Sequence, residues 1–146
     1  MNNKILTALL ALTFMSAALA GCTSNDDTDD ADDTTSDVVK IGFLNPATGP
    51  LAQDAAGFEY GALQAVIDLN AAQTTTVFEA VVADSGCDGT VGAAAAQSLV
   101  DANVVAVAGA ACSGASMAAN AVLSAAGIPM ISYASTNPSL SDATAY

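Results

Sequence analysis

The residues Gly109-Ala110-Ala111-Cys112-Ser113-Gly114-Ala115-Ser116 come nearest, in type and spacing, to a chemical motif. They approach the phosphate-binding pattern that ends in Gly, Lys and a hydroxyl, but Ala115 stands where the lysine is required. Without that charge no side chain reaches a β- or γ-phosphate, and no nucleotide or other cofactor is expected. The same stretch places Ser113 as in a nucleophile elbow, with Ala111 and Ala115 replacing both glycines. The chain contains no histidine, so a self-contained Ser-His-Asp site is excluded and Ser113 is a poor nucleophile. What survives is a helix amino terminus lined by small residues. There, bare backbone N–H groups and the helix dipole hold a carboxylate. An ordinary capped helix is the alternative for this loop taken alone.

Composition narrows the partners. The 146 residues carry 15 acidic side chains against 2 basic ones, a formal charge of −13. No basic patch is available to neutralise phosphates, so a nucleic-acid partner is excluded. Imidazole metal sites go with the missing histidine. Hydrophobic residues make up 53% of the chain, yet aromatics are only 5% and Trp is absent. Such a core, rich in Ala, suits closely packed helices on a sheet.

The elements that position these loops alternate strand with helix. Val38 to Leu44 reads as a buried strand, followed by the turn-rich Asn45-Pro46-Ala47-Thr48-Gly49-Pro50. Phe58, Ala62, Ala65, Val66 and Leu69 then recur at helical spacing. Val77 to Ala83 is a second strand, closed by Asp84-Ser85-Gly86-Cys87-Asp88-Gly89, and Thr90 is placed to cap a helix running to about Asp101. Val104 to Ala108 is a short uninterrupted strand, as one covered on both faces should be. A helix over Ser116 to Ala126 is stopped by Gly127, and Met130 to Tyr133 forms a fourth strand. The alternation predicts an α/β fold: a parallel sheet with helices on both faces.

Ahead of this lies a segment of different character. Lys4 precedes an apolar run, Ile5 to Leu19, too short for the roughly 20 residues of a spanning helix and suited to a secretory leader. The run ends in Leu19-Ala20-Gly21-Cys22, which resembles a bacterial lipoprotein signal. That resemblance implies a leader at 1–21 and acylation of the Cys22 thiol. Residues 22–37 hold seven of the fifteen acids, Asp26, Asp27, Asp29, Asp30, Asp32, Asp33 and Asp37. With no apolar face at either period, this stretch is expected to be a disordered, self-repelling tether. It lacks the Gly and Glu positions of a calcium loop.

Five motifs then fall in order. They are Pro46-Ala47-Thr48-Gly49-Pro50-Leu51-Ala52, Asp68-Leu69-Asn70, Asp84-Ser85-Gly86-Cys87-Asp88, Cys112-Ser113, and Met130-Ile131-Ser132-Tyr133-Ala134-Ser135-Thr136-Asn137-Pro138. Together they resemble the leucine/isoleucine/valine-type periplasmic binding proteins, the type I solute receptors of ATP-driven importers. The resemblance implies that residues 38–146 are part of the first lobe of a two-lobed fold whose second lobe and hinge these residues do not include. It implies a lipid-anchored extracytoplasmic protein that captures an amino acid or related small amide and delivers it to a membrane permease. By the same resemblance, Ser113 would give its hydroxyl and N–H to the ligand carboxylate. Ala134 would offer its carbonyl to the ammonium, and Thr136 would bridge both with its hydroxyl and N–H. Capping of their following helices is the alternative role for Ser113 and Thr136. If Cys22 carries lipid, Cys87 and Cys112 are left to pair, and a cystine there is similar to that of the leucine-binding members; two buried thiols are the alternative. Asp54 departs from branched-chain members that have an aromatic residue near the ligand, so a polar amino acid or amide is possible. A ligand-sensing domain of a signalling receptor and an envelope enzyme are the other readings. The enzyme would need its histidines or metal ligands outside these residues.

Overall fold

The computed structural model describes residues 37–142. The leader expected at 1–21, Cys22 with its expected lipid, the acidic stretch up to residue 36, and residues 143–146 lie outside them. Strand β1 (Asp37–Asn45) pairs in parallel along its whole length with β2 (Thr76–Asp84), from Asp37 opposite Thr76 to Asn45 opposite Asp84. On its other side β1 pairs with β3 (Ala106–Ala108), and β3 with β4 (Met130–Ile131), giving the parallel order β2-β1-β3-β4. Between them come α1 (Ala55–Ala72), α2 (Gly89–Asp101) and α3 (Ser113–Ala125), and a 3-10 turn at Pro138–Ser141 follows.

Alternation along β1 sorts the helices onto the two faces. Leu44 belongs to a core with Ala95, Ala96 and Leu99 of α2 and Ala115, Ala119 and Leu123 of α3. Ile41 and Phe43 point the other way, lining a groove against Ala62, Ala65, Val66 and Leu69 of α1. Helices therefore cover both faces, as the strand-helix alternation requires. Leu44, Leu99 and Leu123 are 0% exposed, each contributing about 1.5–3 kcal/mol of burial. Small residues set how closely the layers approach. A Cβ on Gly42 would sit 3.0 Å from both Leu99 Cδ1 and Val107 Cγ2, and one on Gly92 would sit 3.0 Å from Ala115 Cβ. Gly42 thus makes room for Leu99 under the sheet, and Gly92 lets α2 cross α3 at its first turn.

Several boundaries differ from the sequence expectation: β1 and β2 each run one residue further at both ends, β3 begins at Ala106, not Val104, and three more differ for a local reason. The cap of α2 is Asp88, whose carboxylate accepts the N–H groups of Thr90 (2.7 Å) and Val91 (3.0 Å). A carboxylate offers a stronger acceptor to those bare donors than the Thr90 hydroxyl. Helix α3 begins at Ser113, not Ser116, with Cys112 as its N-cap. Strand β4 ends at Ile131 because the Ser132 hydroxyl accepts the N–H groups of Ala134 (3.3 Å) and Ser135 (2.9 Å), turning the chain out of the sheet. At the opposite border, Asn70 of α1 donates to the Phe78 carbonyl (2.9 Å) and accepts from its N–H (2.8 Å), satisfying the open backbone of edge strand β2.

Candidate functional site

The carboxyl ends of β3 and β4 lead into the two loops that the sequence singles out. In a doubly wound sheet this is the end where ligands bind. Gly109 turns the chain there with φ +117°, and a Cβ at that position would lie 2.6 Å from the Leu44 carbonyl oxygen. Only glycine allows that approach.

Cys112 and Cys87 form a disulfide with their Cα atoms 5.1 Å apart. The bridge ties the β2–α2 loop to the residue that starts α3. Immediately after it, Ser113 projects toward the loop that follows β4. Its Oγ accepts the N–H groups of Thr136 and of Asn137, each at 3.2 Å. The two expected ligand loops are therefore joined directly, with Ala134 two residues from the junction. Ser113 does not cap its own helix, and the 3-10 turn is capped by Asn137, which accepts the Ser139 N–H at 2.9 Å, not by Thr136. The capping alternative falls for both residues.

This geometry decides what Ser113 can offer. Two N–H donors occupy the acceptor capacity of its oxygen, so its own proton is the group left to give. The first hydrogen bond inside α3 runs from the Ser116 N–H to the Cys112 carbonyl (2.9 Å). The N–H groups of Ser113, Gly114 and Ala115 before it have no partner within the helix; Ala115 is fully buried, so the accessible ones are those of Ser113 and Gly114. Gly114 is exposed, and a Cβ built on it would meet nothing within 4 Å. The site is thus an open cluster of neutral donors at the positive end of a 13-residue helix, suited to an anion. Thr136 has its N–H committed to Ser113, leaving its hydroxyl available. The Ala134 N–H is held by Ser132, while its carbonyl takes no hydrogen bond among the described residues. Residues 37–142 contain one basic side chain, Lys40. It lies midway along β1, so no cationic side chain of this region serves the site.

A serine cluster supports these loops, and sequence reasoning passed over it. Ser132 donates to the Ala110 carbonyl at 2.6 Å. The hydroxyls of Ser116 and Ser135 lie 3.0 and 3.1 Å from the same oxygen and 2.7 Å from each other. The available signal was the three-residue spacing of Ser113 and Ser116, which places both on one helix face.

The loop after β1 is held separately. Asp84 accepts from the Thr48 hydroxyl (2.6 Å), the Thr48 N–H (3.1 Å) and the Gly86 N–H (2.8 Å). Burial opposes its charge, but the hydrogen bonds from Thr48, Gly86 and Ala47 outweigh it and hold the carboxyl below its ordinary value. Tyr133 lies between Phe43 and Phe58, with ring centroids 5.6 and 5.1 Å away. Its hydroxyl donates to the Leu44 carbonyl at 3.3 Å, and burial pushes its pKa up to about 12. Asp54 precedes α1 as an exposed residue whose side chain makes no capping bond. No group of three His, Cys, Asp or Glu among the described residues could hold a metal.

Comparison with known proteins gives a consistent result. The profile of the family described as "Periplasmic binding protein" matches residues 38–146. The branched-chain amino acid transporter substrate binding protein LivJ from Streptococcus pneumoniae, solved in complex with isoleucine, is 36% identical with a TM-score of 0.66. That match covers 70% of this chain and 30% of LivJ. The leucine binding protein LivK from Thermotoga maritima is 26% identical, TM-score 0.59, over 72% of this chain and 30% of its own. An ABC transporter substrate-binding protein from Desulfitobacterium hafniense, in complex with Leu, is 28% identical, TM-score 0.58, over 73% and 31%. The chain therefore spans about a third of the length of these proteins. No curated protein matches it.

Proposed function

The chain belongs to the periplasmic binding protein family, and from that premise we propose that it is the first-lobe part of a solute-binding protein that captures an amino acid, or a related small amide or zwitterion, for an ATP-driven importer. The observation that carries this reading is the pairing of Ser113 with the 134–137 loop. One small area holds a hydroxyl free only to donate, the two bare helix N–H groups of Ser113 and Gly114, and an unengaged carbonyl. Those are the partners a zwitterion needs: donors for its carboxylate, an acceptor for its ammonium. In this reading the Ser113 hydroxyl and N–H bind the carboxylate and the Ala134 carbonyl binds the ammonium. The Thr136 hydroxyl spans the two charges; its N–H serves Ser113 instead of the ligand. The protein binds and releases its ligand without catalysis. The isoleucine and leucine complexes of the matched proteins support an amino-acid ligand, while Asp54 keeps a polar one open.

The leader at 1–21 and Cys22 support a lipid anchor on the outer side of the membrane. The acidic stretch 22–36, one residue shorter than expected because Asp37 belongs to β1, then serves as a tether of roughly 50 Å at full extension, letting the binding lobes reach a membrane permease. In the full-length protein, Ser113→Ala and Thr136→Ala should each weaken amino-acid binding by about 1.5–3 kcal/mol, as for hydrogen bonds to charged groups. Unchanged affinity in both variants, measured by calorimetry, would remove the site.

A further inference from the structure

Three serine hydroxyls, those of Ser116, Ser132 and Ser135, meet beside Ser113 where the 110–113 segment faces the 132–137 loop, and the reading above uses none of them. The Ala110 carbonyl is their hub. It has two lone pairs, and Ser132 takes one at 2.6 Å. Ser116, itself 0% exposed, and Ser135 compete for the other at 3.0 and 3.1 Å. Their hydroxyls are 2.7 Å apart, so whichever does not donate to Ala110 donates to its neighbour. Ser135 also reaches the Ala111 carbonyl at 3.3 Å. Every proton has an acceptor, and the cluster is closed.

We propose that Ser116, Ser132 and Ser135 are positioning residues for the ligand contacts of Ser113, Ala134 and Thr136; this rests on the amino-acid-binding reading given above. Ser132 bends the chain so that the Ala134 N–H points into the loop, which leaves the Ala134 carbonyl free. Ser135 pins the residue between the two expected ligand contacts. Ser116 holds Ser135 from one turn beyond Ser113 on the same face of α3, and Ser113 holds the next two N–H groups. Residues 135–137 are thus fastened one after another along one face of α3, with Ala134 held from Ser132. The fastening at Thr136 and Asn137 is also what leaves the Ser113 proton to be donated outward. A looser loop would release those N–H groups and let the Ser113 hydroxyl rotate.

Ser135→Ala and Ser116→Ala test this, because each leaves the other serine to donate to Ala110; Ser116→Ala is the cleaner, since Ser135→Ala also removes the 3.3 Å bond to the Ala111 carbonyl. Ser124→Ala, at the far end of α3, is the control. In either variant the backbone amides of Thr136 and Asn137 should exchange with deuterium about tenfold faster, while β1 amides keep their rates. Unchanged exchange at those two amides overturns the proposal. In the full-length protein, titrated with each of the twenty amino acids, Ser135→Ala should weaken the tightest ligand about tenfold, and this loss should be clearly smaller in a Ser113→Ala background. A loss that simply adds to that of Ser113→Ala marks a merely structural role and also overturns it. If Ser113→Ala itself leaves affinity unchanged, the binding reading fails; if Ser113→Ala weakens binding and Ser135→Ala does not, only the positioning proposal fails.

Discussion

Replacing both Cys87 and Cys112 with alanine should destabilise the folded region by about 3.5 kcal/mol. The bridge closes a loop of sequence separation 25. In the chain-entropy description that removes about 12 cal/mol/K from the unfolded ensemble, or about 3.5 kcal/mol at 25 °C. For a domain of this size each kcal/mol moves the melting temperature by about 4–8 °C, so a fall of roughly 15–25 °C is expected. Cys87 is also held at φ +54°, in the left-handed region that non-glycine residues seldom enter, and Cys112 directly precedes Ser113. Loss of the bridge should therefore loosen the start of α3 as well as lower global stability. Thermal unfolding followed by circular dichroism measures the first effect. Reductant should reproduce it in the wild type and leave the double variant unmoved. A shift of less than about 3 °C, or two alkylatable thiols in the unreduced protein, would refute the reasoning.

Other substitutions probe other parts. Gly109→Ala should cost at least about 3 kcal/mol, because a Cβ would stand 2.6 Å from the Leu44 carbonyl oxygen at φ +117° and the β3 end would have to shift; denaturant titration measures it. Asp84 has a folded pKa held below its unfolded value of 3.8, so its contribution is fully present above about pH 4 and fades as pH falls through the folded value. Asp84→Asn should accordingly be more destabilising at pH 6 than at a pH well below 4, and equal effects at both would refute the assignment. Cys22→Ala should abolish lipid modification, leaving precursor or released protein on membrane fractionation; a lipid-modified mature species would refute the anchor.

The strand-helix order was legible because burial on both faces forces short apolar strands, and because the Phe58–Leu69 stripe meets the sheet at helical spacing. Ser113 and the 134–136 loop were legible through family likeness, and the structure brings them within hydrogen-bond reach. One miss was local: Asp88 displaced Thr90 as a cap because its carboxylate reaches the N–H groups two and three residues on. The others depend on partners distant in the chain. Strand β4 stopped early because the Ser132 hydroxyl accepts the Ala134 and Ser135 N–H groups while donating to Ala110, 22 residues away. The commitment of the Thr136 N–H to Ser113 belongs to the same class. Hydroxyls carry no periodic signature, so their targets appear only when the loops are brought together.

The central claim is that a carboxylate binds at the amino terminus of α3 through Ser113. Isothermal titration of the full-length protein with the twenty amino acids, and with the carboxyl-amide of the tightest one, tests it most directly. The account predicts saturable binding of at least one free amino acid and at least about tenfold weaker binding of its amide, since hydrogen bonds to the charged carboxylate would be lost. Equal affinity for the acid and the amide, or no binding by any of the twenty, would contradict it.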